Sequence, residues 1–190
     1  TDSAGNSATT PVQTVVVDIT PPSFPVVNIQ SPQVKLEATG VTNRSDWYTQ
    51  ITAVGSSGEY VVTYYGLDSN GDHSIFVQKF NADGTIQGSQ VMLEATGVTN
   101  GYDYSPQITA VGTTGEYVVT YYGEDSNGDF SIFVQKFNAD GTIQGSQVML
   151  EATGVTSGSD NEPQITAVGT AGEYVVTFSG VDSNGDNSIF

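Results

Sequence analysis

The chain has no cysteine, one histidine, one tryptophan and only four basic residues against 21 acidic ones in 190 residues. Without cysteine there are no disulfides, no thiolate metal centres and no thiol nucleophile. The formal charge of −17 repels nucleic acid and anionic membrane surfaces, which carry the same sign, and makes a cation the natural counterpart. No apolar run is long enough to cross a membrane as a helix, and none of these 190 residues reads as a cationic, apolar leader, so any targeting signal is expected outside them. No segment repeats its apolar residues at the helical spacing of about 3.6. With 37% apolar and 10% aromatic residues, the chain can nevertheless bury a core, so it is not a disordered acidic tail.

What the chain has is a repeat. Nearly the same text opens at Val34, Val91 and Val148, and 91 − 34 and 148 − 91 both give 57 residues. A fixed period marks an array in which each copy is one supersecondary unit stacked on its neighbours. Such stacking builds a core without disulfides. The register reaches back to Ile29, where Ile29-Gln30-Ser31-Pro32-Gln33 parallels Ile86-Gln87-Gly88-Ser89-Gln90. Copies are therefore expected over residues 29–85, 86–142 and 143–190. The third stops partway through its text, so the chain is expected to be a window of a longer protein.

Each copy carries four runs rich in β-branched and aromatic residues. In the first they cover about Gln33–Ala38, Gln50–Val54, Glu59–Tyr65 and Ser74–Phe80. Gly55-Ser56-Ser57-Gly58, Gly66 to Asp72 and Asn81-Ala82-Asp83-Gly84 separate them with turn chemistry. Links this short join antiparallel strands. In Glu59–Tyr65, residues Tyr60, Val62 and Tyr64 face one side while Val61, Thr63 and Tyr65 face the other. A strand that is apolar on both faces belongs to a sheet covered on both sides. The expected fold is all-β: tandem four-stranded antiparallel repeats of 57 residues, either β-propeller-like blades or an open stacked array.

Residues 1–20 hold one strand-like run, and Pro21, Pro22, Pro25 and Pro32 stiffen the connector expected over 21–28. Asp2-Ser3-Ala4-Gly5-Asn6 before the run and Asp18-Ile19-Thr20-Pro21-Pro22 after it resemble the closing segment of bacterial Ig-like domains in large surface adhesins. That resemblance implies an Ig-like strand remnant and calcium near Asp2, Asn6 and Asp18. The copies themselves, with Glu-Tyr-Val-Val-Thr followed by Phe-Val-Gln-Lys-Phe-Asn-Ala-Asp-Gly, resemble tandem units of very large secreted bacterial adhesins of the RTX and biofilm-associated type. This implies an extracellular or cell-surface location and a role in adhesion.

The sharpest polar motif is Asp-Ser-Asn-Gly-Asp, at Asp68–Asp72, Asp125–Asp129 and Asp182–Asp186. Alternate oxygens in a tight loop suit a hard cation, which makes Ca²⁺ the expected cofactor on Asp68, Asn70, Asp72, Asp125, Asn127, Asp129, Asp182, Asn184 and Asp186. The loop is not an EF-hand, because His73 and Lys79 stand where that motif needs glycine and a bidentate glutamate. An Asn-Gly hairpin turn with solvated aspartates is the equally simple alternative.

Catalysis finds no support. Glu37, Glu94 and Glu151 recur at one register and Glu59, Glu116 and Glu173 at another, so a glycosidase-type pair would be copied with every unit. His73 is matched by Phe130 and Asn187, so no obligatory proton transfer resides there. The first two copies differ at positions 35, 44, 45, 47–49, 56, 57, 67 and 73. In a four-stranded meander the link after the fourth strand and the link between the second and third emerge at one end. That end therefore gathers the variable residues and the acidic loops: Asp46, Trp47, Tyr48, Tyr102, Asp103 and Tyr104, a mixture suited to a cell-surface glycan or a protein receptor. A filament built from copies of the chain itself is the further alternative.

Overall fold

The computed structural model describes residues 33–190 apart from 39, 42, 43, 153, 156 and 157. The Ig-like remnant, the connector and Asp2, Asn6 and Asp18 lie outside the described residues. Residues 31–190 form one compact unit, and its described part is all-β, with no helix.

Three sheets succeed one another along the chain. The first contains β1 (Asp46–Val54), β2 (Glu59–Leu67), β3 (His73–Phe80) and β4 (Ile86–Leu93); the second contains β5 (Asp103–Val111), β6 (Glu116–Glu124), β7 (Phe130–Phe137) and β8 (Ile143–Leu150). The third contains β9 (Asn161–Val168), β10 (Glu173–Val181) and the short β11 (Asn187–Ile189). Strand order follows chain order in every sheet, and all pairings are antiparallel. Tight turns allow nothing else.

The text repeat and the sheet are out of phase. Gln33–Ala38, expected to open the first copy as a strand, has no strand pairing. The matching text further on does form strands, β4 and β8, but each closes the sheet that precedes it. A strand forms where an open edge awaits it, and the Asn-Ala-Asp-Gly turn delivers β4 directly onto β3. Residues 33–38 instead lay Leu36 and Ala38 on the outer face of the first sheet, against Val62, Tyr64, Phe76 and Phe80.

The two-faced reading of β2 holds in the structure. Val61 and Tyr65 belong to the core between the first and second sheets, with Ile75, Val77, Leu93, Tyr117, Val119, Tyr121, Phe133 and Phe137. Tyr60, Val62 and Tyr64 belong to the opposite face. The second sheet repeats this alternation, turning Val118 and Val134 toward Ile165, Tyr174 and Val176 of the third. It is thus covered on both sides. Fully burying one such phenylalanine contributes about 2–3 kcal/mol.

Neighbouring sheets approach most closely through their first strands, β1 against β5 and β5 against β9. Polar stitches cross the seams. Lys79, only 5% exposed, donates to the Ala139 carbonyl of the next sheet at 2.6 Å and pairs with Glu59 at 3.2 Å. Gln147 Nε2 donates to Tyr121 Oη at 2.7 Å and to the Glu94 carbonyl at 3.1 Å, and Gln90 repeats this pattern on Tyr64 and Glu37. At the opposite corner Gly55 nests on Gly115, where a Cβ on Gly55 would lie 3.6 Å from the Gly115 Cα. The assembly is an open stack of small sheets, not a closed barrel.

Candidate functional site

The meander places the β2–β3 loop and the link from β4 to β5 at one end, as the strand count requires. Val98, Thr99 and Asn100 of that link stand against Asp125, Ser126 and Asn127 of the following loop.

Along this rim the aromatic residues form a continuous ladder. Trp47 lies 5.5 Å from Tyr65 and 5.3 Å from His73. Tyr48 stacks on Tyr65 at 5.5 Å. Across the seam His73 meets Tyr102 at 5.7 Å and Tyr104 at 5.2 Å, and Tyr104 continues to Tyr122 and Phe130. Trp47, Tyr48 and Tyr102 remain 39%, 66% and 44% exposed. The ladder ends at the third sheet, where Ser159, Asn161, Ser179 and Asn187 take the equivalent positions. Burial holds the His73 imidazole below its ordinary pKa, which leaves it a neutral ring.

The Asp-Ser-Asn-Gly-Asp loops are closed by their own first residue. Asp68 Oδ1 accepts the N–H groups of Asn70 at 2.7 Å and Gly71 at 2.9 Å, and Asn70 Nδ2 donates to Oδ2 at 3.2 Å. Asp125 is engaged in the same way by Asn127, at 2.7 and 3.0 Å. Asp182 accepts from Asn184 and Asp186 N–H and from Ser188 Oγ. These are Asx turns. Burial pushes the Asp68 carboxyl up, but its contact with Asp72 and the backbone donors outweigh burial and hold it below the ordinary range. In the first two loops Asn70 and Asn127 thus present amide nitrogens to the aspartate. Asp72 behaves differently: it is 6% exposed and neither carboxylate oxygen has a donor. Desolvation, together with the adjacent Asp68, raises its pKa to about 6.

Asp46 and Asp103 are the first residues of β1 and β5, and Asp160 immediately precedes β9. Asp103 is 1% and Asp160 0% exposed, so both are buried, and Asp103 does not lie on the exposed face on which it was expected. Asp160 Oδ2 accepts the Ala152 N–H at 3.0 Å. The Ala95 N–H stands near Asp103 in the same manner, yet neither Asp103 oxygen has a partner in good hydrogen-bond geometry. Burial, and then the charge of Glu94, raises the Asp103 pKa to about 9; Glu94, itself half-buried and facing Asp72 and Asp68, rises to about 7. Two residues further on, Tyr48, Ser105 and Glu162 have φ of 52°, 49° and 53°, where the pairing of β1 and of β5 shifts register. A left-handed non-glycine residue at the same place in each copy is a built bulge. The three residues line one cleft of about 400 Å³, together with Gln164, Phe178 and Ile189. Sequence reading missed this cleft; the signal available was the divergence of Tyr48, Ser105 and Glu162 at one register.

No known protein family, curated protein or solved structure matches the chain.

Proposed function

We propose that the chain is a structural and adhesive β-repeat module of a large extracellular bacterial protein. Its stacked sheets act as a stiff spacer, and its aromatic rim docks a cell-surface glycan or a protein receptor. The observation that supports this reading is the ladder from Trp47 to Phe130, solvent-exposed at Trp47, Tyr48 and Tyr102 and set among the acidic loops of two successive sheets. Exposed rings fixed in a row suit the apolar faces of sugar rings, with carboxylates available to accept hydroxyl hydrogen bonds. The role is non-enzymatic, and a hard cation, Ca²⁺ by donor chemistry, stiffens the array.

Binding to an immobilised glycan panel tests the rim. Trp47→Ala combined with Tyr102→Ala should abolish the signal while leaving the far-UV spectrum unchanged; undiminished binding would overturn the assignment. A second reading, self-association, draws on Val168, Val175 and Ile189 of the third sheet, which are 46%, 48% and 76% exposed. Sedimentation showing concentration-dependent growth that Val175→Lys abolishes would favour it, and monomers throughout would remove it.

A further inference from the structure

We propose that the cation binds at the seams between sheets: one site held by Asp72, Glu94 and Asp103, and a second held by Asp129, Glu151 and Asp160. This rests on the reading that a hard cation stiffens the array, and it moves that ion from the loops to the seams.

Each trio is brought together from three chain segments: the end of the β2–β3 or β6–β7 loop, the residue after β4 or β8, and the approach to β5 or β9. The buried carboxylates are unsatisfied. Both oxygens of Asp72 and both of Asp103 lack a partner, with the residues 6% and 1% exposed. In the second trio Asp160 Oδ1, Asp129 Oδ1 and Glu151 Oε2 are likewise without one. A buried acceptor with no donor is costly, and several facing one another are costlier. The charges acting on Asp72, Glu94 and Asp103 are all negative.

Each glutamate is already oriented. Ser74 Oγ donates to Glu94 Oε1 and Ser131 Oγ donates to Glu151 Oε1, which leaves Oε2 buried and unpartnered in both. Holding one oxygen of a ligating carboxylate is what an outer-shell residue does around a metal. The first copy offers a built-in comparison. There Glu37, the equivalent of Glu94 and Glu151, pairs with Lys35, and at Lys35's position the other copies have Met92 and Met149. The glutamate without a preceding acidic loop among the described residues carries its own cation. The two that face such a loop carry none.

Among the described residues no three such side chains already stand at ligand spacing, so the ion draws the trio together and tightens the seam. Carboxylates of irregular arrangement suit Ca²⁺ over Mg²⁺, which demands a near-ideal octahedron.

The test is calcium titration of the chelator-treated full chain, read by thermal melting, with terbium luminescence for stoichiometry. The expected results are a concentration-dependent rise in Tm, two ions per chain, and calcium affinity weakened about tenfold or more in Glu94→Gln/Glu151→Gln. Asn70→Ala/Asn127→Ala/Asn184→Ala should leave the response intact. Three ions per chain and a response lost in the asparagine variants would place the cation in the loops and overturn the seam site alone. A response unchanged in the glutamate variants would also overturn it. No response in the wild-type chain removes both the seam site and the cation reading. Should the glutamate variants not fold, the asparagine variants decide: a calcium response retained in them keeps the seam site, and one lost in them places the cation in the loops.

Discussion

Gly123 is the position at which the buried aspartate and the sheet geometry depend most directly on one another. A Cβ there would lie 1.9 Å from Asp103 Oδ1 and 3.2 Å from the Ala95 Cβ. Asp103 is 1% exposed. In an ordinary strand, Gly→Ala gains about 0.5–1 kcal/mol by reducing the freedom of the unfolded chain. Here the methyl fits only by displacing the Asp103 carboxyl, and forcing extra volume into so close a contact costs about 1–3 kcal/mol. The net expectation for Gly123→Ala is a loss of about 1 kcal/mol, which lowers Tm by about 2–4 °C for a unit of this size. Urea unfolding followed by far-UV circular dichroism measures it. The clash is specific, so combining Gly123→Ala with Asp103→Ala should recover at least about 1 kcal/mol relative to the sum of the two single changes. A neutral or stabilising Gly123→Ala, or strict additivity of the pair, would refute the reasoning. Gly66 and Gly180, with 2.1 and 2.0 Å to Asp46 and Asp160, should behave alike.

Two further outcomes follow from the seams. Lys79→Met removes the 2.6 Å bond to Ala139 and should cost about 1–2 kcal/mol, appearing in urea unfolding as a lower midpoint with a secondary-structure spectrum that is unchanged before the transition. In chelator, melting temperature should rise as pH falls from 8 to 5. Asp103, Glu94 and Asp72, with pKa of about 9, 7 and 6, hold protons in the folded state that the unfolded chain has already released. Stability is therefore lost as pH climbs through these values. A melting temperature that falls on acidification over that window would contradict the buried carboxyl cluster.

Much of the fold can be read from the chain, because period-2 alternation and Asn-Gly turns act locally. The two faces of β2, and the placing of the β2–β3 loop and the β4–β5 link at one end, both follow from counting, whereas the variable Ser56 and Ser57 lie in the β1–β2 turn at the other end. The phase of the repeat cannot be obtained this way. Ile86–Leu93 reads the same whether it opens one sheet or closes another, and only the waiting edge of β3 decides. The burial of Asp103 is equally hidden: sequence shows an acid beside aromatic residues, whereas the left-handed residue at Ser105 and the absent side chain at Gly123 make the room that holds it. The first aspartate of each acidic loop was legible as either ligand or turn former, and in the structure it accepts backbone donors of its own loop. Lys79 gave no warning, since a lysine between Gln78 and Phe80 reads as an edge charge until the next sheet covers it.

The stacking of sheet on sheet is tested most directly by a covalent bridge across a seam. A Cβ on Gly141 would lie 3.8 Å from the Cβ of Lys79, which matches the spacing of about 3.8 Å found in disulfides; the φ of 89° at Gly141 costs a cysteine there about 1–2 kcal/mol, and the chain has no cysteine to interfere. Under mild oxidation the Lys79→Cys/Gly141→Cys variant should lose both free thiols as a monomer. Thiols that stay free in a chain whose far-UV spectrum is that of the folded protein, or that bridge only between chains, would contradict the stacked array.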